Sequence, residues 1–295
     1  MEETKIYYSK DWKDYELLDT GEGEKLERVG NYKFVRPFED AVWVKSLAKK
    51  DWAEIDGKFF TSKNNKNEKS GWKLNKSLPK KWEINYKDIK FSVTPTPFRH
   101  FGFFGEQASH WDFIENSIKN SGRHIKFLNL FGYTGVASLF ALRAGAEVTH
   151  LDASKTSLTW AKENQELSGL SNLPMRIICD DALKFLEREA KRGNKYDAVI
   201  MDPPKHGRGP NGEIWKIEEM LPKLLENVRK VLSDKPLFVI LTSYAIDASS
   251  LSLKYALEDA LKDFHGKVEN GELCLLETSK KRTIPSANTA IWKSF

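Results

Sequence analysis

Cysteine is scarce in this 295-residue chain, with only Cys179 and Cys274 present. Two thiols cannot build a disulfide framework, and they stand in no metal-ligand spacing, so neither a stapled secreted scaffold nor a metal site is expected. Both fall in apolar, strand-like runs and read as buried packing residues. Long hydrophobic runs are missing as well. No stretch is long enough to span a bilayer, and the amino terminus MEETKIYYSK has no hydrophobic core of an export signal, so no membrane partner and a cytoplasmic location are expected. A complete GxGxxG is also lacking, which weighs against a dinucleotide-dependent dehydrogenase. With 40% apolar and 30% charged residues, the chain is not a disordered one, and its length suits one large α/β domain with a smaller companion.

What is present is unevenly placed. The net charge is +5, yet Lys58 to Lys90 holds ten lysines against Glu68, Glu83 and Asp88, while residues 1–57 carry ten basic and fourteen acidic side chains. Phe59, Phe60, Trp72, Trp82 and Tyr86 interleave with those lysines. Ammonium groups beside aromatic faces can meet phosphates and stack on unpaired bases; a solvated lysine surface over a small aromatic core is the equal alternative. Up to about residue 95 the pattern is short alternating segments, such as YKFVRP (Tyr32 to Pro37) and AVWVKS (Ala41 to Ser46), which predict strands. KNNKNEKSGWK, Lys63 to Lys73, predicts a loop. PTPF, Pro95 to Phe98, resists helix and central strand and marks a boundary between a small β-rich domain, 1–95, and an α/β domain, 96–295.

The α/β domain is organised around KFLNLFGYTGV, Lys126 to Val136. A buried strand is followed by the bend Phe131, Gly132, Tyr133, Thr134, Gly135 and a helical run. Thr134 stands where a helix cap is expected, Gly135 has no Cβ to hold a ligand away, and the bend is expected to offer unpaired backbone N–H groups. Glu147 to Leu151 predicts a second strand that ends on Asp152, about twenty residues downstream, where a carboxylate can take a ribose hydroxyl pair. Helix and strand then alternate. RIIC (Arg176 to Cys179) ends on Asp180 and Asp181, either the cap of the next helix or an acceptor for an adenine amino group, with room for one carboxylate in each task. YDAVIM, Tyr196 to Met201, runs into Asp202, Pro203, Pro204 and Lys205. Two prolines hold a carboxylate and a carbonyl rigidly at a strand end, an arrangement suited to an amine or amide. HGRGPNG, His206 to Gly212, is glycine-rich enough to move over a substrate. The last two strand-like runs, GELCLLETS and TAIWKSF, have no helix between them and predict an antiparallel pair at the sheet edge. The fold class is therefore α/β, a Rossmann-like doubly wound, mostly parallel sheet with an antiparallel edge pair and a small β-rich N-terminal domain.

With these residues in order, the sequence resembles the class I S-adenosylmethionine-dependent methyltransferases, and within them the bacterial branch of large-subunit (23S) ribosomal RNA methyltransferases related to the cytosine-C5 enzymes. The resemblance is carried by NLFGYTGVAS, HLDAS, CDDALKFL and MDPPK, with FGFFGEQ upstream as the counterpart of the branch's glycine-to-glutamine motif. It implies S-adenosylmethionine as cofactor, with Gln107, Asn129, Phe131, Gly132, Tyr133, Thr134 and Gly135 around its methionine end, Asp152 on the ribose and Asp180 or Asp181 on the adenine. It also implies that Asp202, Pro203 and Pro204, with Lys205 beside them, face the methyl acceptor, a base of ribosomal RNA. Two departures bear on the chemistry. Cytosine-C5 members carry a nucleophilic cysteine after the fifth strand, where this chain reads LTSYA, Leu241 to Ala245. Amino-methylating enzymes often place an aromatic after the prolines, where this chain has Lys205. A protein or small-molecule acceptor, or a cofactor-binding RNA-interaction protein without catalysis, are the competing readings, and a homodimer is compatible with either.

Overall fold

The computed structural model describes residues 3–61, 70–75, 77–244 and 248–295. Lys63, Lys66, Lys69 and Lys76 of the basic segment, most of the expected loop after Lys63, and Ala245 lie outside the described residues. The chain divides into two compact units, one of Met1–Tyr7, Ser109–Leu273 and Pro285–Phe295, the other of Tyr8–Ala108 and Cys274–Ile284.

Strand β1 (Lys5–Tyr7) belongs to the larger unit. The smaller unit holds a five-stranded sheet of β2 (Tyr15–Gly21), β3 (Glu24–Val29), β4 (Tyr32–Pro37), β5 (Gly57–Phe60) and β6 (Gly71–Leu74), in that order, with helix α1 (Lys49–Ala53) between β4 and β5. A hairpin of β7 (Trp82–Tyr86) and β8 (Ile89–Val93) accompanies it. Gly71 to Lys73, expected in a loop, pairs with β5 instead. AVWVKS departs the other way, since Ala41 to Ser46 forms no strand. Its backbone is held by groups outside any ladder. Ser46 N and Leu47 N donate to Asp19 Oδ2 at 2.9 and 2.8 Å, and the Trp43 indole donates to Thr20 O, while Val42 and Val44 point outward, 87% and 75% exposed. The alternation was real but had no partner strand to serve. Phe59 and Tyr86 are core residues, and the Trp72 and Trp82 indoles donate to Thr96 O and Val29 O, with both rings against Phe34. Of the five aromatics offered for base stacking, Phe60 is the exposed one.

In the larger unit an eight-stranded sheet runs β1, β16 (Gly266–Leu276), β17 (Thr283–Ser294), β15 (Phe238–Ser243), β12 (Ala198–Met201), β9 (Lys126–Leu130), β10 (Glu147–Asp152), β11 (Met175–Cys179). Beyond it β13 (His206–Arg208) and β14 (Ile214–Lys216) pair by themselves. Strands β9, β10, β11, β12 and β15 are mutually parallel, and β17 runs antiparallel to β15. The antiparallel pair is where the sequence places it, except that β1 adds outside it, parallel to β16. Helices α2 (Ala108–Asn120), α3 (Val136–Arg143), α4 (Lys155–Leu167), α5 (Ala182–Lys191), α6 (Ile217–Val231) and α7 (Ser250–Leu261) complete the alternation.

Side chains alternate between the two faces of the central strands, as the two-residue period requires. Phe127, Ala198, Ile200, Phe238 and Ile240 pack with Ile114, Ile118, Ala141 and Leu142 of α2 and α3. Leu128, Leu130, Val199, Met201, Val239 and Leu241 pack with Phe185, Leu225, Val228 and Leu257 of α5, α6 and α7. Strands buried on both faces read as unbroken apolar runs, which is why they were visible in the sequence. Strand order reverses at β9, with β10 and β11 to one side and β12 and β15 to the other. The carboxyl ends of β9 and β12 flank that switch point, the place where open α/β sheets bind ligands. Among the described residues no helix is long and apolar enough to cross a membrane.

Candidate active site

The bend leaves β9 through backbone that ordinary side chains avoid. Phe131 has φ 59° and Tyr133 φ 50°, and Gly135 follows at φ 85° as the residue before α3. Two aromatic residues held in the left-handed region cost on the order of 1–3 kcal/mol each, and such conformations concentrate at ligand sites. Thr134 does not cap the helix. That position belongs to Gly135, without a side-chain cap, and Thr134 is buried with its carbonyl accepting from Asn164 Nδ2 at 2.9 Å.

The glycines have a packing reason. A Cβ on Gly132 would lie 2.3 Å from His150 Cε1 and 2.4 Å from Nδ1, and a Cβ on Gly135 would lie 2.9 Å from Ala161 Cβ. The bend thus sits directly on the second strand and on α4. The expected free N–H groups are engaged: Gly132 N donates to Leu151 O, Tyr133 N to Asp152 Oδ2 and Gly135 N to Gly132 O, at 2.9, 2.9 and 3.0 Å. With those donors satisfied internally, the bend offers shape and a fixed carboxylate in place of an anion-binding nest.

Beneath it lies a buried polar relay. Asn129 Nδ2 donates to Ser138 Oγ at 3.0 Å, Ser138 Oγ is 3.0 Å from His150 Nδ1, and His150 Nε2 is 3.3 Å from Tyr133 O. Burial pushes the His150 imidazole down to about 4, so it is neutral at physiological pH. Asn129 therefore has its amide in the support of the bend. His150, Ser138 and Asn164 were missed as site residues, although HLDAS contains the histidine; a buried polar residue inside an apolar strand was the available signal.

Asp152, half-buried at the end of β10, is oriented from two sides. Oδ2 accepts from Tyr133 N and Oδ1 from Ser154 N at 2.8 Å. Burial raises its carboxyl above its ordinary value against the opposing pull of those two bonds, and burial, with the Asp152 charge adding to it, pushes the Tyr133 phenol up to about 12. A carboxylate has about four acceptor positions, and these two bonds use one per oxygen, which leaves it able to take a vicinal diol. Asp180 and Asp181 divide their work. Asp181 caps α5, accepting from Lys184 N at 3.0 Å, whereas Asp180 accepts from Asp181 N and pairs with Arg188.

On the other side of the switch point, Met201 is in register with Leu130, so Asp202 and Phe131 leave neighbouring strand ends at the same level. Asp202 is half-buried, Pro203 buried, Pro204 exposed and Lys205 half-buried. HGRGPNG supplies β13 and the turn that leads into β14. Trp215, absent from the sequence-derived site, ties these parts together. Its Nε1 donates to Pro204 O at 2.6 Å, and its ring centroid lies 5.0 Å from that of Phe131. Gln107 is in the smaller unit, buried in the short turn Gly105–Gln107 that leads into α2. Cys179 is half-buried beside Asp152 in the sheet register, with Sγ 3.6 Å from Ala153 O, and Cys274 is buried in β16. Neither is on β15, whose end carries Thr242 and Ser243.

Residues 112–240 match the family described as Conserved hypothetical protein 95. The chain is 34% identical over 146 residues to ribosomal RNA large subunit methyltransferase K/L of Pseudoalteromonas translucida, covering 49% of this chain and 20% of that protein. It is 32% identical over 152 residues to ribosomal RNA large subunit methyltransferase K of Neisseria meningitidis, covering 48% and 43%. It thus spans less than half of the length of these curated relatives. A solved structure gives a near-complete match: the S-adenosylmethionine-dependent methyltransferase from Agrobacterium tumefaciens is 40% identical, with a TM-score of 0.93, over 99% of this chain and 94% of that one. A likeness that runs through both units at that identity makes this chain a member of the S-adenosylmethionine-dependent methyltransferases.

Proposed function

We propose that the protein methylates a base of large-subunit ribosomal RNA, in the cytoplasm, with S-adenosylmethionine as methyl donor and Asp202 as the group that orients the acceptor. The observation that carries this reading is the register of β12 on β9, which sets Asp202 level with the cofactor bend at the sheet's switch point. The RNA comes from the names of two relatives, each matched over about half of this chain.

When bound, the cofactor supplies a methyl group on a sulfonium, an activated leaving arrangement that needs little acid–base help. The protein's part is alignment. Asp152 takes the ribose hydroxyls through the acceptor positions its backbone bonds leave open, and Asp180 and Asp181 stand at the adenine end. The strained pair Phe131 and Tyr133, with Gly132, Thr134 and Gly135, shapes the wall at the methionine end, propped from below by Asn129, Ser138 and His150. Pro203 and Pro204 hold the backbone after Asp202 with no freedom in φ, and Trp215 fixes the Pro204 carbonyl, so a substrate amino or imino group meets a preset acceptor. Lys205 follows on the same rigid loop. A thiol route has no support in the placement of Cys179 or Cys274.

The test is transfer of labelled methyl groups from S-adenosylmethionine to protein-free large-subunit RNA, with nucleoside mass spectrometry locating the product. Asp202→Ala should bind S-adenosylhomocysteine within about threefold of the parent while turnover falls by roughly two to four orders of magnitude through lost positioning. Cys179→Ser and Cys274→Ser should remain active. Labelling of protein and not RNA, or an Asp202→Ala enzyme of parental turnover, would refute the proposal.

A further inference from the structure

The hairpin that follows the acceptor loop has two different faces. Gly207 and Trp215 are directly opposite each other and point inward; a Cβ on Gly207 would lie 3.3 Å from Pro204 Cγ, so glycine lets the strand pass close to that proline. The alternate positions point outward. His206 pairs across the strands with Lys216, and Arg208 with Ile214, and all four are exposed, Ile214 by 67%. No outward position on either strand carries a carboxylate. Glu213, at the base of the turn, is directed elsewhere, with Oε1 accepting from Lys184 Nζ at 2.6 Å and Oε2 from Asn211 N at 2.9 Å. The acidic groups that bear on this face are in the first turn of α6: Glu219 Oε1 is 2.8 Å from Lys216 Nζ, and Glu218 adds its charge. Both members of that pair are about half exposed, a setting in which an ion pair contributes little and exchanges readily.

The placement is as informative as the charge. A two-stranded ribbon standing free would be a poor platform, but this one is bolted down by Trp215 to Pro204 on one side and to Phe131 on the other. Its outward face therefore keeps a fixed position relative to Asp202. Side chains two apart on a strand are separated by about 7 Å and directly opposed ones by about 5 Å, so His206, Arg208, Lys216 and Ile214 mark the corners of a small rectangle.

We propose that this face is a phosphate-contact surface that holds the backbone of an RNA acceptor beside the methyl-transfer site. Arg208 and Lys216 engage neighbouring phosphates, His206 adds a third donor, and Ile214 packs against a sugar or base. The inference rests on the reading of the acceptor as RNA. It assigns RNA contacts to the larger unit, independently of the lysines between Lys58 and Lys90.

The full chain carrying Arg208→Gln and Lys216→Gln together should be compared with the parent, and with a control carrying Lys162→Gln and Lys191→Gln on exposed sites of α4 and α5. The measurement is binding to protein-free large-subunit RNA across a salt series, with S-adenosylhomocysteine binding measured in parallel. The hairpin variant should lower the log–log salt slope by roughly 1.4–1.8, from about 0.7–0.9 for each lost contact, and leave S-adenosylhomocysteine affinity as in the parent, while the control keeps the parental slope. Arg208→Glu alone should weaken RNA binding further than Arg208→Gln. A parent that binds RNA with a slope the hairpin variant reproduces would overturn this inference and leave the proposed acceptor standing. A parent without salt-dependent RNA binding would overturn both.

Discussion

Gly132 offers a direct test of how the bend is held. Its φ is not in the left-handed region, so alanine is acceptable to the backbone and the obstacle is purely steric: the new Cβ would sit 2.3 Å from His150 Cε1 and 2.4 Å from Nδ1. The imidazole must swing away. It then loses Ser138 and Tyr133 O as partners, both in a buried setting. Overpacking of this kind costs about 1–3 kcal/mol and two hydrogen bonds about 0.5–1.5 kcal/mol each, so Gly132→Ala should lose roughly 2–6 kcal/mol. His150→Ala removes the obstruction, leaving Asn129 Cγ at 3.1 Å as the tight neighbour. In that background Gly132→Ala should cost under about 1 kcal/mol, giving a coupling of at least about 1 kcal/mol in a double-mutant cycle. Urea unfolding of the four proteins at constant slope reads the stability arm, and calorimetric titration of S-adenosylhomocysteine reads the site, where Gly132→Ala should bind at least tenfold more weakly. A Gly132→Ala protein with the parental midpoint, or one equally damaged with and without His150, would refute the account of the bend as a structure seated on that imidazole.

Acid should destabilise the larger unit through its histidines before its carboxylates respond. Burial holds His150 at about 4 and His110 at about 3, below the ordinary value near 6.5, so the unfolded chain binds their protons first; stability is flat above about pH 7 and falls as pH drops from 6.5 toward 4, by up to about 1.4 kcal/mol per pH unit for each ring. Replacing His150 with Asn should flatten its share of a pH series of melting curves, and an unchanged series would contradict the burial. Asp152→Ala should weaken S-adenosylhomocysteine binding by about 1–3 kcal/mol in titration through loss of charge-assisted bonds, with parental affinity as the contrary result. Trp215→Phe keeps a ring against Phe131 but loses the bond to Pro204 O, so kcat should fall while the KM for S-adenosylmethionine stays within about twofold; the reverse split would place Trp215 in the cofactor wall instead.

The sheet was legible because its strands are buried on both faces and end abruptly on polar residues: LNL stops at the bend, THL at Asp152 and VIM at Asp202. These carboxylates could be placed without coordinates, since a strand end fixes where the next residue must be. What was hidden depends on contacts between residues distant in sequence. Trp215 looks like any core aromatic until Pro204 is found beside it, and His150 and Ser138 look like interruptions of apolar runs. Asp180 and Asp181 could not be told apart because the cap geometry depends on φ and ψ at the start of α5. AVWVKS misled for a related reason. Alternation predicts two faces, but only a neighbouring strand makes a ladder, and at Ala41 to Ser46 the Asp19 carboxylate takes that place.

The order of strands in the large sheet sets a timetable for synthesis. Lys5 has its ladder partner at Gly271, and β16 reaches the rest of the sheet only through β17, whose Ile291 lies against Ile240. The turn between those two strands serves the smaller unit, where Thr278 N donates to Leu17 O. At about 5–20 residues per second, β1 and β2 emerge from a ribosome tens of seconds before the segment that completes them. Through that interval β1 is an unpaired edge and β2 lacks its last neighbour, the kind of exposed backbone that chaperones retain and that other chains can capture. A nascent chain halted before residue 266 should stay protease-sensitive in both units, and release of the final thirty or so residues should protect both together.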